Sequence, residues 1–208
     1  ASRGLGDVYK RQGEYVVRKV CGQIAEWRDQ GLPVKPVSVN VSALQLKGEG
    51  LRKTLILSLE KYKLSPKLIA FELTESSMLD EDGVAQAELC KLRKLGIELE
   101  IDDFGTGYSS LSKLQSLDID VLKIDQSFVR RLGKDTQAST LCETMVSVGR
   151  NLGISVVAEG VETAPQLQLL QRMGCDQIQG YLISPPVPPE EIPKLFGKVF
   201  FEPLLANA

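Results

Sequence analysis

The sequence predicts an α/β fold of the parallel barrel type, and three observations carry that reading. Short apolar runs alternate with segments of helical periodicity, beginning near positions 37, 69, 98, 121, 155 and 177. The intervals of roughly 22 to 34 residues each have room for one crossover helix, as parallel neighbours require. Nearly every run ends in a polar signature: VSVNVS, FELTES, IDDFGTGYSS, LKIDQSF, VVAEGVE and, last, QGY. Parallel barrels collect their chemistry at the carboxyl ends of the strands. An open doubly wound sheet is the alternative, but it concentrates its chemistry at one switch point. Six strands are visible, two fewer than a closed eight-stranded barrel.

The elements follow in order. The first dozen residues, ASRGLGDVYKRQ, have no clear period and are expected to form a poorly ordered or non-native leader (residues 1–12) ahead of one domain over 13–208. From about Tyr15 a helical stripe runs through Val17, Val20, Ile24 and Trp27, punctuated by Gly31 and Pro33. A strand with Val37, Val39 and Val41 comes next, then a helix on Leu51, Leu55 and Leu59, and a turn at Ser65-Pro66. Ile69, Phe71 and Leu73 alternate in the second strand. Val84, Leu89, Leu92 and Leu95 mark a helix stopped by Gly96, before the run from Ile97 to Ile101. A short helix with Leu111 and Leu114 leads to Val121, Leu122 and Ile124. Leu141, Met145, Val148 and Leu152 line a helix ending at Gly153, and the strand Ile154 to Ala158 follows it. Leu167, Leu170 and Met173 precede a last strand from about Gln177 to Leu182. The tail SPPVPPEEIPKLF holds too many prolines for a central strand and suits a short helix after Pro189, with Leu195 and Phe196 packed as a cap.

Composition narrows the function. A chain of 208 residues with 43% hydrophobic and 25% charged residues suits one domain with a real core. Its net charge of -2 gives no basic surface for a nucleic-acid polymer. Histidine is absent, which excludes a histidine base and zinc-deaminase chemistry. Cys21, Cys90, Cys142 and Cys175 are widely spaced and lie in or beside apolar segments, so reduced core thiols in a cytoplasmic setting are expected. No apolar run approaches the roughly 20 residues that cross a bilayer, although a longer parent protein is free to be membrane-anchored.

The strand ends present Asn40, Glu72, Asp102, Asp103, Lys123, Asp125, Glu159 and Gln179 to one mouth. Most are oxygen donors and only one is cationic, the outline of a site for hard divalent cations. Asp102 and Asp103 sit where a strand becomes a loop, so alternation relaxes and both carboxylates can enter the mouth. One bridging and one terminal carboxylate suit two cations about 4 Å apart. Glu72 and Glu159 follow buried apolar residues, where an unpaired carboxylate is costly. Taken singly, Asn40 also reads as a turn residue and Asp125 as a helix cap. Lys123, between Leu122 and Ile124, must pair with a carboxylate or a phosphate, with Asp125 or a neighbouring strand-end acid as structural alternatives. Gly105 and Gly107 free the following loop, and Tyr108 and Ser109 can anchor it.

The signatures NVSA at Asn40, ELTE from Glu72, DDFGTGYSSL from Asp102, LKID at Lys123, AEGVET from Glu159 and QGYLIS at Gln179 resemble the EAL family of cyclic di-GMP phosphodiesterases. The resemblance covers about residues 13 to 196. It implies a modified (β/α)8 TIM-like barrel, here incomplete with six strands, and hydrolysis of cyclic di-GMP to linear pGpG with Mg²⁺ or Mn²⁺. By resemblance, Asn40, Glu72 and Asp102 hold one metal, and Asp102 and Asp103 the other with Glu159 contributing. Lys123 is similar to the family lysine that touches the attacking water, and Gln179 to the glutamine near it. Glu75 resembles the glutamate that fixes the loop after Asp103. Asp125 and Glu162 match further supporting acids.

This chain contains no Glu-Ala-Leu run, although the family takes its name from one and uses that glutamate as a metal ligand. The expectation is a domain lacking its first strands, with doubtful turnover and with open edges that invite self-association or completion by another subunit. The alternative function is a catalytically inactive cyclic di-GMP receptor or protein-interaction module. The resemblance further implies a homodimer and regulatory or diguanylate-cyclase-like domains in the full-length protein.

Overall fold

In the computed structural model the structure describes residues 2–74, 77, 83–106, 114 and 117–198. Six strands form one sheet in sequence order, every neighbouring pair parallel: β1 (Val37–Asn40), β2 (Ile69–Thr74), β3 (Glu98–Phe104), β4 (Val121–Ile124), β5 (Ser155–Ala158) and β6 (Gln177–Ile178). All six begin where the apolar runs placed them. Around the sheet run α1 (Ser2–Asp29), α2 (Ala43–Leu46), α3 (Gly50–Tyr62), α4 (Val84–Leu95), α5 (Gln126–Val129), α6 (Thr136–Leu152) and α7 (Ala164–Met173). The chain therefore folds as a parallel half-barrel with β1 and β6 as its edges among the described residues.

The core lies between the sheet's outer face and the helices. Val39, Phe71, Leu73, Leu99, Ile101, Leu122, Ile124, Val156 and Ala158 are buried on that side, packed with Val17, Ile24, Leu55, Leu92 and Val146 from the helices. Strand alternation sends the intervening residues to the concave side. There the registers align Asn40 with Glu72 and Glu72 with Glu100, while Lys123 lies opposite Val157. One face of each strand thus serves stability and the other carries polar groups.

Several local expectations need correction. The first dozen residues, expected to lack a regular period, run into α1, which starts at Ser2. With no proline before Pro33, an established helix propagates at one hydrogen bond per added residue. Its early turns are also docked, since Gln45 Nε2 donates to the Tyr9 carbonyl at 3.1 Å. On α6 the buried face is Ala138, Cys142, Met145, Val146 and Gly149, and Leu141 is exposed. Gly149 is in that face because any Cβ there would run into Val156. The last strand stops at Ile178, well short of Leu182, and Gly180 then crosses so close to the Val161 backbone that only a residue without Cβ fits. Cys21 and Cys142 are core thiols, but Cys90 lies on the exposed side of α4. The helix expected around Leu111, and the loop residues Gly107, Tyr108 and Ser109, lie outside the described residues. The proline-rich tail carries a single 3-10 turn at Ile192–Lys194, with Leu195 and Phe196 half-buried.

Polar residues just past the strand ends start the next helices. Ser42 forms a capping box with Gln45, Asp125 accepts from the Ser127 N–H, and Thr163 forms a second box with Gln166. These caps anchor the chain immediately after Asn40, Lys123 and Glu159, so the strand-end side chains project from a fixed backbone.

Candidate metal centre

The concave face brings most of the predicted residues into one cluster. Lys123 is 4% exposed although it carries an ammonium. Its Nζ lies 2.6 Å from Glu159 Oε1, 3.0 Å from Glu72 Oε1 and 3.5 Å from Asp102 Oδ1. One lysine of β4 thus gathers acids from β2, β3 and the end of β5. Asp125 is not its partner, which removes one of the two structural alternatives. Burial alone would lower the lysine pKa, but the hydrogen bond to Glu159 and the charge of Glu72 outweigh it and leave the pKa above its ordinary value.

Asp102, Asp103 and Glu159 form the metal-type cluster. Each offers a carboxylate oxygen, and the three oxygens lie within 4.8 Å of one another. Consecutive residues of a regular strand cannot do this, since they point to opposite faces. The backbone resolves the conflict within β3. The register to β4 slips between Ile101 and Phe104, and Asp103 adopts φ +55°, in the left-handed region. Aspartate tolerates this conformation better than most residues. The Asp103 N–H then donates to Asp102 Oδ1 at 3.0 Å, which fixes the Asp102 carboxylate against the turn. The turn continues through Gly105 at φ +95°, where a side chain would strike Met145.

Electrostatics mark the same groups. Burial, reinforced by Asp102 and Asp125, raises the Asp103 pKa. Burial also raises that of Glu159, against the pull of Lys123. For Asp125, burial pushes upward but the hydrogen bonds from Ser127 and Asp103 more than offset it, leaving its pKa below the ordinary range. Asp125 therefore both caps α5 and sits beside Asp103.

The remaining predicted residues are placed less centrally. Asn40 stands beside Glu72 by register but is exposed, on the wall of a cavity of about 580 Å³ shared with Ser38, Glu72, Thr74, Val16 and Tyr9. Gln179 follows β6 directly, its N–H bonded to the Ala158 carbonyl and its carbonyl to the Val161 N–H, with an exposed side chain. Glu162 points to the surface, 3.8 Å from Arg130. Glu75 lies outside the described residues.

Sequence reasoning passed over one acid. Glu100 is only 9% exposed, accepts a 3.0 Å hydrogen bond from Ser38 Oγ and neighbours Glu72. Burial, with added repulsion from Glu72, raises its pKa to about 7. The Ser38 bond reaches across β2, where the register places only the small Ala70 opposite Ser38. The signal was present, because Glu98, Glu100 and Asp102 alternate along one face of the strand.

The donor set fits hard divalent cations: clustered carboxylates, a neighbouring amide side chain, and no histidine or thiolate among them.

Comparison with known proteins points the same way. The model of the EAL domain matches residues 7–186. The oxygen sensor protein DosP of Escherichia coli (strain K12) is 40% identical over 187 residues, covering 90% of this chain and 23% of its own length. The chain spans about a quarter of the length of the curated relatives it matches. Among solved structures, the PaMucR phosphodiesterase in its c-di-GMP complex superposes with a TM-score of 0.82 at 37% identity, covering 88% of this chain and 74% of that one. A manganese and cyclic di-GMP complex of Klebsiella pneumoniae BlrP1 gives a TM-score of 0.74 at 29% identity, covering 87% and 45%.

Proposed function

Because this chain belongs to the EAL domain family, we propose that it is a metal-dependent phosphodiesterase module that hydrolyses cyclic di-GMP to linear pGpG. The observation that carries the reading is the meeting of Asp102, Asp103 and Glu159 within 4.8 Å at the carboxyl ends of a parallel sheet. Complexes of similar proteins with c-di-GMP support the substrate class.

Asn40, Glu72 and Asp102 would hold one Mg²⁺ or Mn²⁺ ion, and Asp102 and Asp103 the second with help from Glu159. Bound there, the cations supply charge neutralisation at the phosphate and a more acidic water. The chain's own residues do the rest. The left-handed turn at Asp103 sets the spacing of the paired carboxylates, and Asp125 adds a further acid beside Asp103 at the next strand end. Lys123 carries a fixed positive charge at the floor of the site, suited to orienting a water or stabilising phosphoryl charge. Gln179 stands at the rim to bond that water or a base edge. Glu75 and Glu162 are assigned supporting roles, Glu75 at the loop after Asp103. The net reaction replaces one P–O3′ bond by P–OH, and the released 3′ oxygen gains the proton.

The four free cysteines suit a reducing, cytoplasmic compartment, and no helix of the described residues is long and apolar enough to cross a membrane. Homodimerisation, and regulatory or diguanylate-cyclase-like domains in the parent protein, belong to the same proposal.

The test is Mg²⁺- or Mn²⁺-dependent formation of pGpG by this chain, with nucleotide binding measured in parallel. Turnover should fall more than about a hundredfold in Asp102→Asn, which loses a shared ligand. Turnover unaffected by that substitution rejects the assignment. Binding without turnover supports the receptor reading instead.

A further inference from the structure

The distances around Lys123 contain a second message, one that rests on the metal-site reading. An ammonium has three N–H donors and no acceptor. Three carboxylates surround this one, those of Glu159 at 2.6 Å, Glu72 at 3.0 Å and Asp102 at 3.5 Å from Nζ. The same carboxylates form much of the candidate metal shell, and Asp102 and Glu159 are two of the three members of its tightest cluster. A solution cation and the lysine therefore draw on the same oxygen lone pairs.

We propose that Lys123 is a built-in competitor of the divalent cation. Its ammonium holds the strand-end acids of β2, β3 and β5 together against their mutual repulsion. It yields Asp102 and Glu72 as the cation binds. Cation binding is then weaker than the bare acid cluster would give, and it is linked to release of lysine donors toward the mouth.

The geometry favours competition over mere coexistence. Lys123 is anchored mid-strand between the buried Leu122 and Ile124, so its stem cannot withdraw through the helix layer. The carboxylates of Glu72, Asp102 and Glu159 are themselves only 11%, 17% and 16% exposed, so water cannot screen the charges that meet there. Glu100, paired with Glu72 in the strand register, adds a further carboxyl group to the floor. The acids outnumber the single lysine, which is why a stronger cation has something to gain there. Once donors of Lys123 are released, an anion arriving at the mouth is the group that can accept them. A phosphodiester meets that requirement, and the linkage predicts that cation binding and substrate binding strengthen each other.

Calorimetric titration of Mn²⁺ into the full chain and into Lys123→Met tests the idea. The expected result is binding about tenfold or more tighter in Lys123→Met, with a larger metal-induced rise in melting temperature than in the unaltered chain. Binding no tighter in Lys123→Met overturns the competition while leaving the metal site standing. Failure of both proteins to bind Mn²⁺ removes the metal-site reading itself, and this proposal with it. Should the variant not fold, the unaltered chain labelled with ¹⁵N-lysine and titrated with Mg²⁺ decides. The Lys123 Nζ resonance should move in step with occupancy, and a resonance that stays fixed while Mg²⁺ binds overturns the proposal.

Discussion

Two buried charge clusters sit on opposite sides of the same sheet, and they are built by opposite rules. On the helix side, Glu88 of α4 is 4% exposed and carries two cations, Arg52 Nε at 2.6 Å on one oxygen and Lys91 Nζ at 3.1 Å on the other. On the concave side, Lys123 is equally buried and carries three acids. The first cluster satisfies its buried carboxylate, gains a second acid in Glu49 at 3.6 Å from Arg52, and joins α3 to α4. The second has acids in excess, which is poor architecture for stability and good architecture for capturing a cation. Burial of charge alone does not separate structure from function; the sign of the imbalance does.

Cutting the balanced cluster should produce the largest loss of stability. Arg52→Met leaves the Glu88 carboxylate with the more exposed Lys91 as its cation, and a destabilisation of about 3 kcal/mol is expected. Urea denaturation measures it, and nucleotide hydrolysis per folded molecule should be unchanged. A loss under about 1 kcal/mol would place Glu88 among the ordinary surface pairs.

The acid-rich cluster should respond in the opposite sense. Glu100 titrates near 7 in the folded chain against an ordinary value of 4.5. Its raised pKa favours folding in full below about pH 4.5, and that contribution is lost as pH climbs through about 7. Glu100→Gln keeps the shape without the charge. In metal-free buffer at pH 8 it should be more stable than the parent by about 2 kcal/mol, with the advantage disappearing below about pH 4.5. Denaturation across that range checks both sign and window.

The smallest effect belongs to a pair that looks similar on paper. Arg130 and Glu162 are 59% and 46% exposed at 3.8 Å. Arg130→Ala should change stability by no more than about 0.5 kcal/mol, again by urea denaturation. A larger change would show that Glu162 is tied to the centre through more than this contact.

Much of this contrast was legible in the sequence, and what was not has definite causes. All six strands begin where the apolar runs predicted, because a buried parallel strand is a local signal. The acids also stood out, Glu72 and Glu159 because they follow apolar residues that must be buried, Asp102 and Asp103 because they sit where a strand becomes a loop. Which of them Lys123 touches was not readable. Its partners come from β2, β3 and the end of β5, so the answer depends on the register of strands distant in sequence. Glu100 lies inside β3 rather than at its end, and only the acid at every second position of that strand marks it as facing the site. The slip on α6 arose because Cys142 and Gly149 do not announce themselves as part of an apolar stripe, yet Val156 leaves room only for glycine at 149.

The left-handed backbone at Asp103 has an evolutionary consequence. A non-glycine residue in that conformation carries a penalty of about 1 kcal/mol or more, and here it serves to set a second carboxylate beside Asp102. Glycine at 103 would relieve the backbone and remove the repulsion with Asp102 and Asp125 in a single step. Drift toward a sturdier protein without the paired carboxylates is therefore downhill at this position, and only selection for the proposed cation site opposes it.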